Sequence, residues 1–226
     1  MTVLDAGPTP ALSTAMRDGS RTEHEDAEGS AFVTELLEGR ISEAGYAAYL
    51  RRLRAVYAAL ENVVRERAAD PLVAAVHDPA LERLAVLDAD LDHWAPGEPH
   101  ELAAGESPAA EAYCARLHGA TWGGDLVAHH YTRYLGDLSG GQAIGRVLDR
   151  TFGLEGAGTA FYAFTEIPKP KPYKDAYRAR LDALGLDAAG VARVVDEVKV
   201  AFRLNQALFS ELGERIDAYR RPAPQD

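Results

Sequence analysis

Apolar residues recur every three or four positions along most of the chain, and this spacing constrains the fold more than any other feature. After Ser42 such residues fall on one face of a long α-helix: Tyr46, Tyr49, Leu50, Leu53, Val56, Tyr57, Leu60, Val63 and Val64. No segment alternates apolar and polar residues in the way of a half-buried strand, and no repeat of fixed length occurs. The pattern predicts an all-α fold of about eight helices, with the first beginning near Leu12.

Proline, glycine and serine mark the expected ends of several helices. Ser107-Pro108 is typical of a helix start, because serine caps the first turn and proline suits its first position. Pro96-Gly97 ends one helix, and Gly153 ends a helix that runs from about residue 126 to 152. The 226 residues, 47% of them hydrophobic, suffice for one substantial core. We predict a single domain over residues 12–219, with flexible tails at 1–11 and 220–226.

The charge and the cysteine content restrict the classes of partner and compartment. With 24 basic and 35 acidic residues the formal net charge is −11, which argues against binding to nucleic acid or to an anionic membrane. The single cysteine, Cys114, cannot form an internal disulfide and fits a reducing compartment. The sequence has no secretory signal pattern and no run of roughly 20 apolar residues. We therefore expect a soluble cytoplasmic protein without nucleic-acid or membrane partners.

A glycine-rich run, LGDLSGGQAIG at residues 135–145, lies between helical flanks. Each glycine costs a helix about 0.5–1 kcal/mol relative to alanine. Because successive helical residues are about 100° apart, Gly136 and Gly140 share one face and Gly141 lies beside them. Such a bare face permits either a close helix crossing or a flat ligand against the backbone. Asp137 and Ser139 within the run favour the ligand, and the phosphate-loop lysine is absent.

Asn205 and several histidines do not fit a plain helical bundle. Asn205 continues an apolar stripe, where an unsatisfied amide costs on the order of 1–3 kcal/mol, so it is either a satisfied core amide or a residue at the stripe's edge. His24 is predicted to lie on the first helix and precedes Glu28 by four residues on one helical face, although a lone histidine is more often structural. His129 and His130 adjoin the glycine run and are rival ligands. A carboxylate-x-x-His motif occurs once, at residues 90–93, whereas a di-iron bundle needs two.

A basic cluster stands out in this acidic chain. Five basic residues fall within the stretch KPKPYKDAYRAR: Lys169, Lys171, Lys174, Arg178 and Arg180. Such a run is either a solvated helix face or a clamp for an anionic ligand such as a carboxylate.

Taken together, these segments resemble the heme oxygenase family over nearly the whole chain. Residues 131–141, YTRYLGDLSGG, resemble the family's distal-helix signature almost letter for letter. Residues 24–28 with Phe32 resemble the proximal-helix segment, 202–209 a late helix, and 173–178 the propionate-side segment. The resemblance implies an all-α, single-domain fold that holds heme b between a proximal and a distal helix.

The same resemblance implies a role for each site residue. His24 would be the axial iron ligand, and Glu28 would orient its second nitrogen. Gly136, Gly140 and Gly141 would let the distal backbone lie over the porphyrin. The heme propionates would be bound by four residues: Arg17, Tyr131, Lys174 and Arg178. Asp137 would be the main catalytic side chain, acting through ordered water held by three others: Tyr57, Arg133 and Asn205. His129 and His130 would then not be ligands.

The implied activity is oxidative cleavage of heme at the α-meso carbon to biliverdin, carbon monoxide and free iron. Heme would be both cofactor and substrate, together with O₂. No flavin or nicotinamide fingerprint occurs, so electrons would come from a ferredoxin with its reductase, or from a flavoprotein reductase. A heme carrier or sensor would need His24 and the glycines but not the Asp137 group. A ligand-free interaction module would leave the basic cluster and Asn205 unexplained.

Overall fold

Residues 10–222 are described by a computed structural model, and they are mainly helical. Twelve α-helices occur in this range: α1 Leu12–Gly19, α2 Arg21–Glu28, α3 Ala31–Leu37, α4 Glu43–Glu66, α5 Pro71–Ala74, α6 Leu84–Trp94, α7 Pro108–His118, α8 Gly123–His130, α9 Gln142–Phe152, α10 Pro170–Asp182, α11 Ala188–Gly213 and α12 Ile216–Tyr219. Two π-helical segments, Tyr131–Leu135 and Asp137–Gly141, and two 3₁₀ helices, Pro79–Leu81 and Ala160–Tyr162, complete them. The all-α prediction is confirmed. None of these helices is long and apolar enough to cross a membrane.

The expected helix ends have the expected chemistry. Ser42 Oγ accepts a hydrogen bond from Gly45 N at 3.2 Å, and Ser107 Oγ accepts one from Ala110 N at 3.2 Å. These caps satisfy backbone donors that the first helical turn leaves free. Gly153 follows α9 with φ +65°, a left-handed conformation that glycine adopts without steric cost.

Helices α4 and α11 form the centre of the bundle, and each carries a residue of the predicted site, Tyr57 on α4 and Asn205 on α11. Arg52 on α4 is almost fully buried. Its guanidinium donates to Glu211 on α11 at 2.7 Å and to the Ala48 carbonyl at 2.9 Å. A buried charge needs such partners. The ion pair ties the two helices together and so fixes the spacing between Tyr57 and Asn205.

The glycine-rich run does not interrupt its helix. Helical backbone continues from α8 through both π segments into α9, from Gly123 to Phe152. Leu135 and Leu138 are buried in the core and anchor this segment. A π turn is wider than an α turn and is frequently found at functional sites. The predicted helix is therefore present, with a change of helical type where the glycines lie.

The amino-terminal helix predicted as one element is two. Helix α1 ends at Gly19, and Ser20, whose Oγ donates to the Met16 carbonyl at 2.7 Å, separates it from α2. A Cβ on Gly19 would lie 2.6 Å from Val195 Cγ1, so α11 packs directly against this break. His24 therefore lies on the second helix. The count of about eight helices was too low because α5, α12 and other short helices give little periodic signal.

The predicted tails lie largely outside the described range, which excludes residues 1–9 and 223–226. Residues 220 and 221 are nevertheless held in place. Arg220 forms an isolated bridge with Ile41 and an ion pair with Glu35 at 2.9 Å. Arg221 N donates to the Arg40 carbonyl at 2.8 Å. These contacts join the residues after α12 to α3 and to the segment between α3 and α4.

Asp90, the carboxylate of the single carboxylate-x-x-His motif, has a structural role. It is buried on α6, and its carboxylate accepts hydrogen bonds from Ala160 N at 2.9 Å and Phe161 N at 2.8 Å. These bonds fix the 3₁₀ helix Ala160–Tyr162 against α6.

Replacing Asp90 with alanine is expected to lower the free energy of unfolding by about 2–3 kcal/mol, because two buried backbone donors lose their acceptor. Urea denaturation of the two proteins measures this difference. Asp92→Ala, on the same helix with a 75% exposed side chain, is the matched control and should change stability by under about 0.5 kcal/mol. Equal effects of the two substitutions would contradict the assignment.

Candidate functional site

A cleft between α2 and the π segments contains most of the predicted site residues. It has two lobes, with volumes of about 580 Å³ and about 390 Å³. Both lobes are lined by the same five residues: His24, Glu28, Gly136, Gly140 and Phe202. We call the larger one the polar lobe, because arginines from α1, α2 and α10 line it, and the smaller one the apolar lobe.

Basic side chains and three carboxylates, Asp18, Glu25 and Glu28, line the polar lobe, and Arg17 Nε donates to Asp18 Oδ1 at 2.9 Å. Arg17 on α1, Tyr131 on the first π segment and Arg178 on α10 all line it. Lys174 Nζ donates a hydrogen bond to Ser139 Oγ at 2.9 Å, and Ser139 lines the polar lobe. Burial, and then the nearby Arg178, lowers the pKa of Lys174. Cations held this close to one another favour an anion between them.

Only part of the basic cluster faces the cleft. Lys171 points to solvent with 87% of its side chain exposed and pairs with Asp175 at 3.0 Å. Arg180 Nε donates to the Ala75 carbonyl at 2.8 Å, and its guanidinium lies 5.4 Å from the Tyr177 ring centre. Lys169 is exposed at the start of α10. The five-residue clamp considered from the sequence is therefore reduced to Lys174 and Arg178.

The apolar lobe is walled by side chains from α3, α4, α9 and α11. Its apolar lining includes the following residues: Val33, Leu36, Leu37, Ile144, Phe202 and Phe209. Leu37 is the exposed large hydrophobic side chain of residues 10–222, with 44% exposure. The His24 ring stands edge-on to Phe202, with ring centres 5.4 Å apart. The His24 imidazole thus lies at the boundary between the apolar lobe and the polar lobe.

Gly136 and Gly140 expose bare backbone to the cleft. A Cβ built on either residue would meet no heavy atom within 4 Å, so the space beside them is open. Gly141 differs, because its Cβ would lie 2.9 Å from Tyr162 Cδ1. Gly141 lines the apolar lobe, but its missing side chain makes room for the Tyr162 ring. The bare face predicted from three glycines is open at two of them.

A buried polar cluster adjoins the apolar lobe at Asp137. Tyr57 donates a hydrogen bond to the Asp137 carboxylate. Arg133 Nε donates to Tyr57 Oη at 3.2 Å, and its Nη1 donates to Asn205 Oδ1 at 2.6 Å. Arg133 Nη2 lies 3.7 Å from Asp137 Oδ1. The structure thus brings the four predicted residues into one hydrogen-bonded group, with Asp137 and Asn205 lining the lobe that His24 also lines.

The surroundings set the protonation of this cluster. Burial raises the pKa of Asp137 despite the opposing influence of Arg133 and Tyr57. Burial alone would lower the pKa of Arg133, but Tyr57 and Asp137 raise it well above its ordinary value. Burial also raises the pKa of Tyr57 far above its usual range. Arg133 therefore stays cationic and Tyr57 neutral, while Asp137 holds a proton more readily than an exposed aspartate.

The three candidate histidines differ in their surroundings: His24 lines the cleft, and the other two are buried in the core. His24 lines the cleft with 51% of its side chain exposed, and its Nε2 lies 3.6 Å from Glu28 Oε1, beyond hydrogen-bond distance. His129 is buried between Glu197 at 2.9 Å and Tyr113 at 3.3 Å. His130 Nδ1 is 2.8 Å from Tyr177 Oη, and burial lowers its pKa to about 3. Neither of these two histidines lines the cleft.

Sequence reasoning missed several lining residues. Arg21 lines the polar lobe, and its spacing of four residues from Arg17 is a signal that could have identified it. Tyr49 and Phe209 line the apolar lobe, although their helical stripes indicated only a core position. Tyr162 had no sequence signal, because a 3₁₀ helix of three residues has no periodicity. Between residues 10 and 222, no group of three or more metal-binding side chains occurs.

Comparison with known proteins agrees with this geometry. The heme oxygenase family profile matches residues 10–211. The chain is 37% identical over 204 residues to heme oxygenase 1 of the cyanobacterium Nostoc, covering 89% of this chain and 85% of the relative. It is 36% identical over 210 residues to human heme oxygenase 1, covering 91% of this chain and 73% of the human protein.

Solved structures agree as well. Heme oxygenase-1 of Synechocystis in complex with heme has a TM-score of 0.86 and 35% identity, covering 92% of this chain and 96% of that one. Heme oxygenase of Leptospira interrogans has a TM-score of 0.84 and 33% identity, covering 89% of this chain and all of that one (100%). The fold, the cleft and these similarities lead to one conclusion: the chain belongs to the heme oxygenase family.

Proposed function

We propose that this protein binds heme b in the two-lobed cleft and cleaves it at the α-meso carbon. The products are biliverdin, carbon monoxide and free iron, and the reaction uses O₂ and electrons from an external donor. The apolar and polar lobes match the two parts of the ligand, because heme is a flat apolar ring with two carboxylates at one edge. The open space beside Gly136 and Gly140 supports this fit, since side chains there would occupy it.

The polar lobe would hold the two propionates. Arg17, Tyr131, Lys174 and Arg178 supply hydrogen-bond donors to it, and charge-assisted bonds to carboxylates are about twice as strong as neutral ones. These cations attract an anion locally, although the chain as a whole carries −11. In this orientation the ring lies in the apolar lobe, between the His24 side of the cleft and the glycine face.

His24 is the residue we assign to the iron. Its half-exposed imidazole lines both lobes, and neutral imidazole is a common ligand of heme iron. Glu28 would orient the ring by accepting from its second nitrogen, which requires a closer approach than the present 3.6 Å. His129 and His130 have their partners in the core and leave no imidazole on the glycine side of the cleft.

The buried cluster at Asp137 is the observation that favours an enzyme over a heme carrier. A carrier needs an axial ligand and an apolar lobe, but it has no use for a buried aspartate beside the ring. Removing Arg133 and Asp137 from water costs several kcal/mol per ion before pairing compensates it. A buried Asp137 cluster that lines the apolar lobe is suited to proton transfer at that lobe.

Bound heme supplies the iron that activates O₂ and the porphyrin carbon that is oxidised. Asp137, with its raised pKa, would carry protons to the reacting centre through water. Tyr57 holds the carboxyl by a hydrogen bond, and Arg133 stays cationic and limits how far that pKa rises. Asn205 fixes the Arg133 guanidinium at 2.6 Å. Asp137 would deliver its proton through water, since His129 and His130 have their partners in the core and do not line the cleft.

The electron donor is assigned to a separate protein, either a ferredoxin with its reductase or a flavoprotein reductase. The decisive experiment mixes the purified protein with hemin, an electron donor and catalase in air. Loss of the heme absorption bands with appearance of biliverdin is the expected result. Heme bands that persist under adequate reduction would favour a carrier or sensor, and failure to form any complex would favour an interaction module.

Asp137→Ala should retain hemin but lower the rate of biliverdin formation by roughly 10²–10⁴-fold, because a positioned acid is lost. Absorbance at the biliverdin and heme bands measures both quantities. Asp196→Ala, an exposed site on α11 with 77% side-chain exposure, is the control and should turn over normally. Normal turnover in Asp137→Ala would remove this residue from the mechanism.

His24→Gly should lose the native absorption spectrum of the ferric complex, and added imidazole should restore it by occupying the space of the missing ring. His118→Ala, at an exposed position on α7, should leave the spectrum unchanged. A native spectrum in His24→Gly without imidazole would show that another residue ligates the iron.

The double variant Lys174→Ala/Arg178→Ala should weaken hemin binding at least about tenfold, since hydrogen bonds to charged groups contribute roughly 1.5–3 kcal/mol each. It should also yield a mixture of biliverdin isomers, because the ring loses its fixed orientation. Lys169→Ala/Lys171→Ala removes the same charge from the solvated part of the basic cluster and serves as the control. Equal loss of affinity in both double variants would indicate a general charge effect.

A further inference from the structure

Helix α10 carries two of the residues assigned to the propionates, and a buried hydrogen bond joins it to the helix that leads to a third. Tyr177 on α10 is fully buried, and its Oη lies 2.8 Å from Nδ1 of His130, which is 2% exposed at the end of α8. The two rings are also stacked, with centres 5.8 Å apart and planes 11° from parallel. The bond and the stacking together fix the position of α10 against α8.

Each partner of this bond is followed directly in the sequence by a residue of the polar lobe. Tyr131 follows His130 and Arg178 follows Tyr177, and both Tyr131 and Arg178 line the lobe. Neighbouring helical residues point about 100° apart, so a side chain turned into the core allows the next one to face the lobe. The buried bond therefore sets the separation between Tyr131 and Arg178 across the lobe.

Other side-chain contacts of α10 lead elsewhere or involve a ligand-binding group. Tyr173 Oη donates to Asp78 at 2.6 Å, and Arg180 Nε donates to a backbone carbonyl in the same segment, residues 75–78, at 2.8 Å. Lys174 reaches Ser139 in the second π segment, but this bond is exposed and its ammonium is itself assigned to a propionate. The histidine–tyrosine bond is buried and uses neither partner for the ligand.

Burial keeps both partners of the bond neutral. It lowers the pKa of His130 to about 3 and raises the pKa of Tyr177 well above its ordinary value. Neither group therefore changes its charge in the physiological pH range. Removing the Tyr177 hydroxyl thus alters no charge near the lobe, so a change in the affinity for an anionic ligand would report a change in position.

We propose that the His130–Tyr177 hydrogen bond positions Lys174 and Arg178 opposite Tyr131 so that the two propionates of heme are bound together. His130 and Tyr177 would not touch the ligand, and both are positioning residues. This inference rests on the proposed function, because it concerns heme in the polar lobe. Without the bond, α10 would keep its contacts with residues 75–78 but would be free to shift against α8, and its two cations would lose their fixed distance from Tyr131.

Titration of the Tyr177→Phe variant with hemin tests the proposal. The ring and its stacking remain while the hydroxyl is lost, so the Kd for hemin should rise about three- to tenfold, the range expected for one lost hydrogen bond. With hemin dimethyl ester, which lacks the propionate charges, the variant and the wild-type protein should bind equally. Equal Kd values for hemin itself, or equal losses with both ligands, would overturn the proposal.

Tyr113→Phe is the matched control, because it removes a buried tyrosine hydroxyl 3.3 Å from Nδ1 of the neighbouring histidine, His129. Tyr113 lies on α7, and no residue of α7 lines either lobe. The Kd for hemin should stay within about twofold of the wild-type value, since sites that share no partner act independently. A loss as large as that of Tyr177→Phe would indicate a general effect of removing a buried hydroxyl and would overturn the proposal.

A double-mutant cycle identifies the residues through which the bond acts. In the Lys174→Ala/Arg178→Ala background, the further change Tyr177→Phe should alter the Kd by less than about twofold, because the groups that it positions are already gone. The full loss in that background would contradict the proposal.

The same titrations separate this inference from the proposed function. If the wild-type protein binds no hemin, the proposed function fails and this inference fails with it. If the wild-type protein binds hemin and Tyr177→Phe binds it equally well, this inference fails alone.

Discussion

The site depends on one steric constraint: a helix has to present bare backbone at the floor of the cleft without coming apart. Gly136 and Gly140 remove the side chains from that face. Leu138 is buried and holds the segment in the core, while the buried Leu135 lines the cleft beside the glycines. The cost of the glycines, about 0.5–1 kcal/mol each, is thereby offset by packing. The wider π turns lie in this same glycine-containing segment.

In the polar cluster at Asp137 the structural cost comes from burying charge, whereas on the glycine face it comes from omitting side chains. Arg133 and Asp137 come from the same helical run, four residues apart, whereas Tyr57 comes from α4 and Asn205 from α11. The buried Arg52 ion pair that joins α4 to α11 therefore also fixes the cluster. The same helix packing therefore forms the core and buries the Asp137 carboxyl.

One helix serves the core and the cleft at the same time, since neighbouring residues point about 100° apart. His129 and His130 turn inward and take partners from α7, α10 and α11. Tyr131 turns outward and lines the polar lobe. The same helical run then brings Gly136, between the two π segments, and Gly140, in the second, to the same cleft. Position within the helical turn, more than residue type, decides which of these groups can meet a ligand.

The sequence by itself determined the all-α class, the capped ends of the long helices, the glycine face and the family resemblance, because these are local or periodic properties. It also selected the four residues of the Asp137 cluster, through that resemblance. Only the tertiary structure decided that Gly141 accommodates Tyr162, that Lys174 and Arg178 face the cleft while Lys171 does not, and that the amino-terminal helix breaks at Ser20. Periodicity indicates which face of a helix is buried, but the partner of that face depends on how distant helices pack.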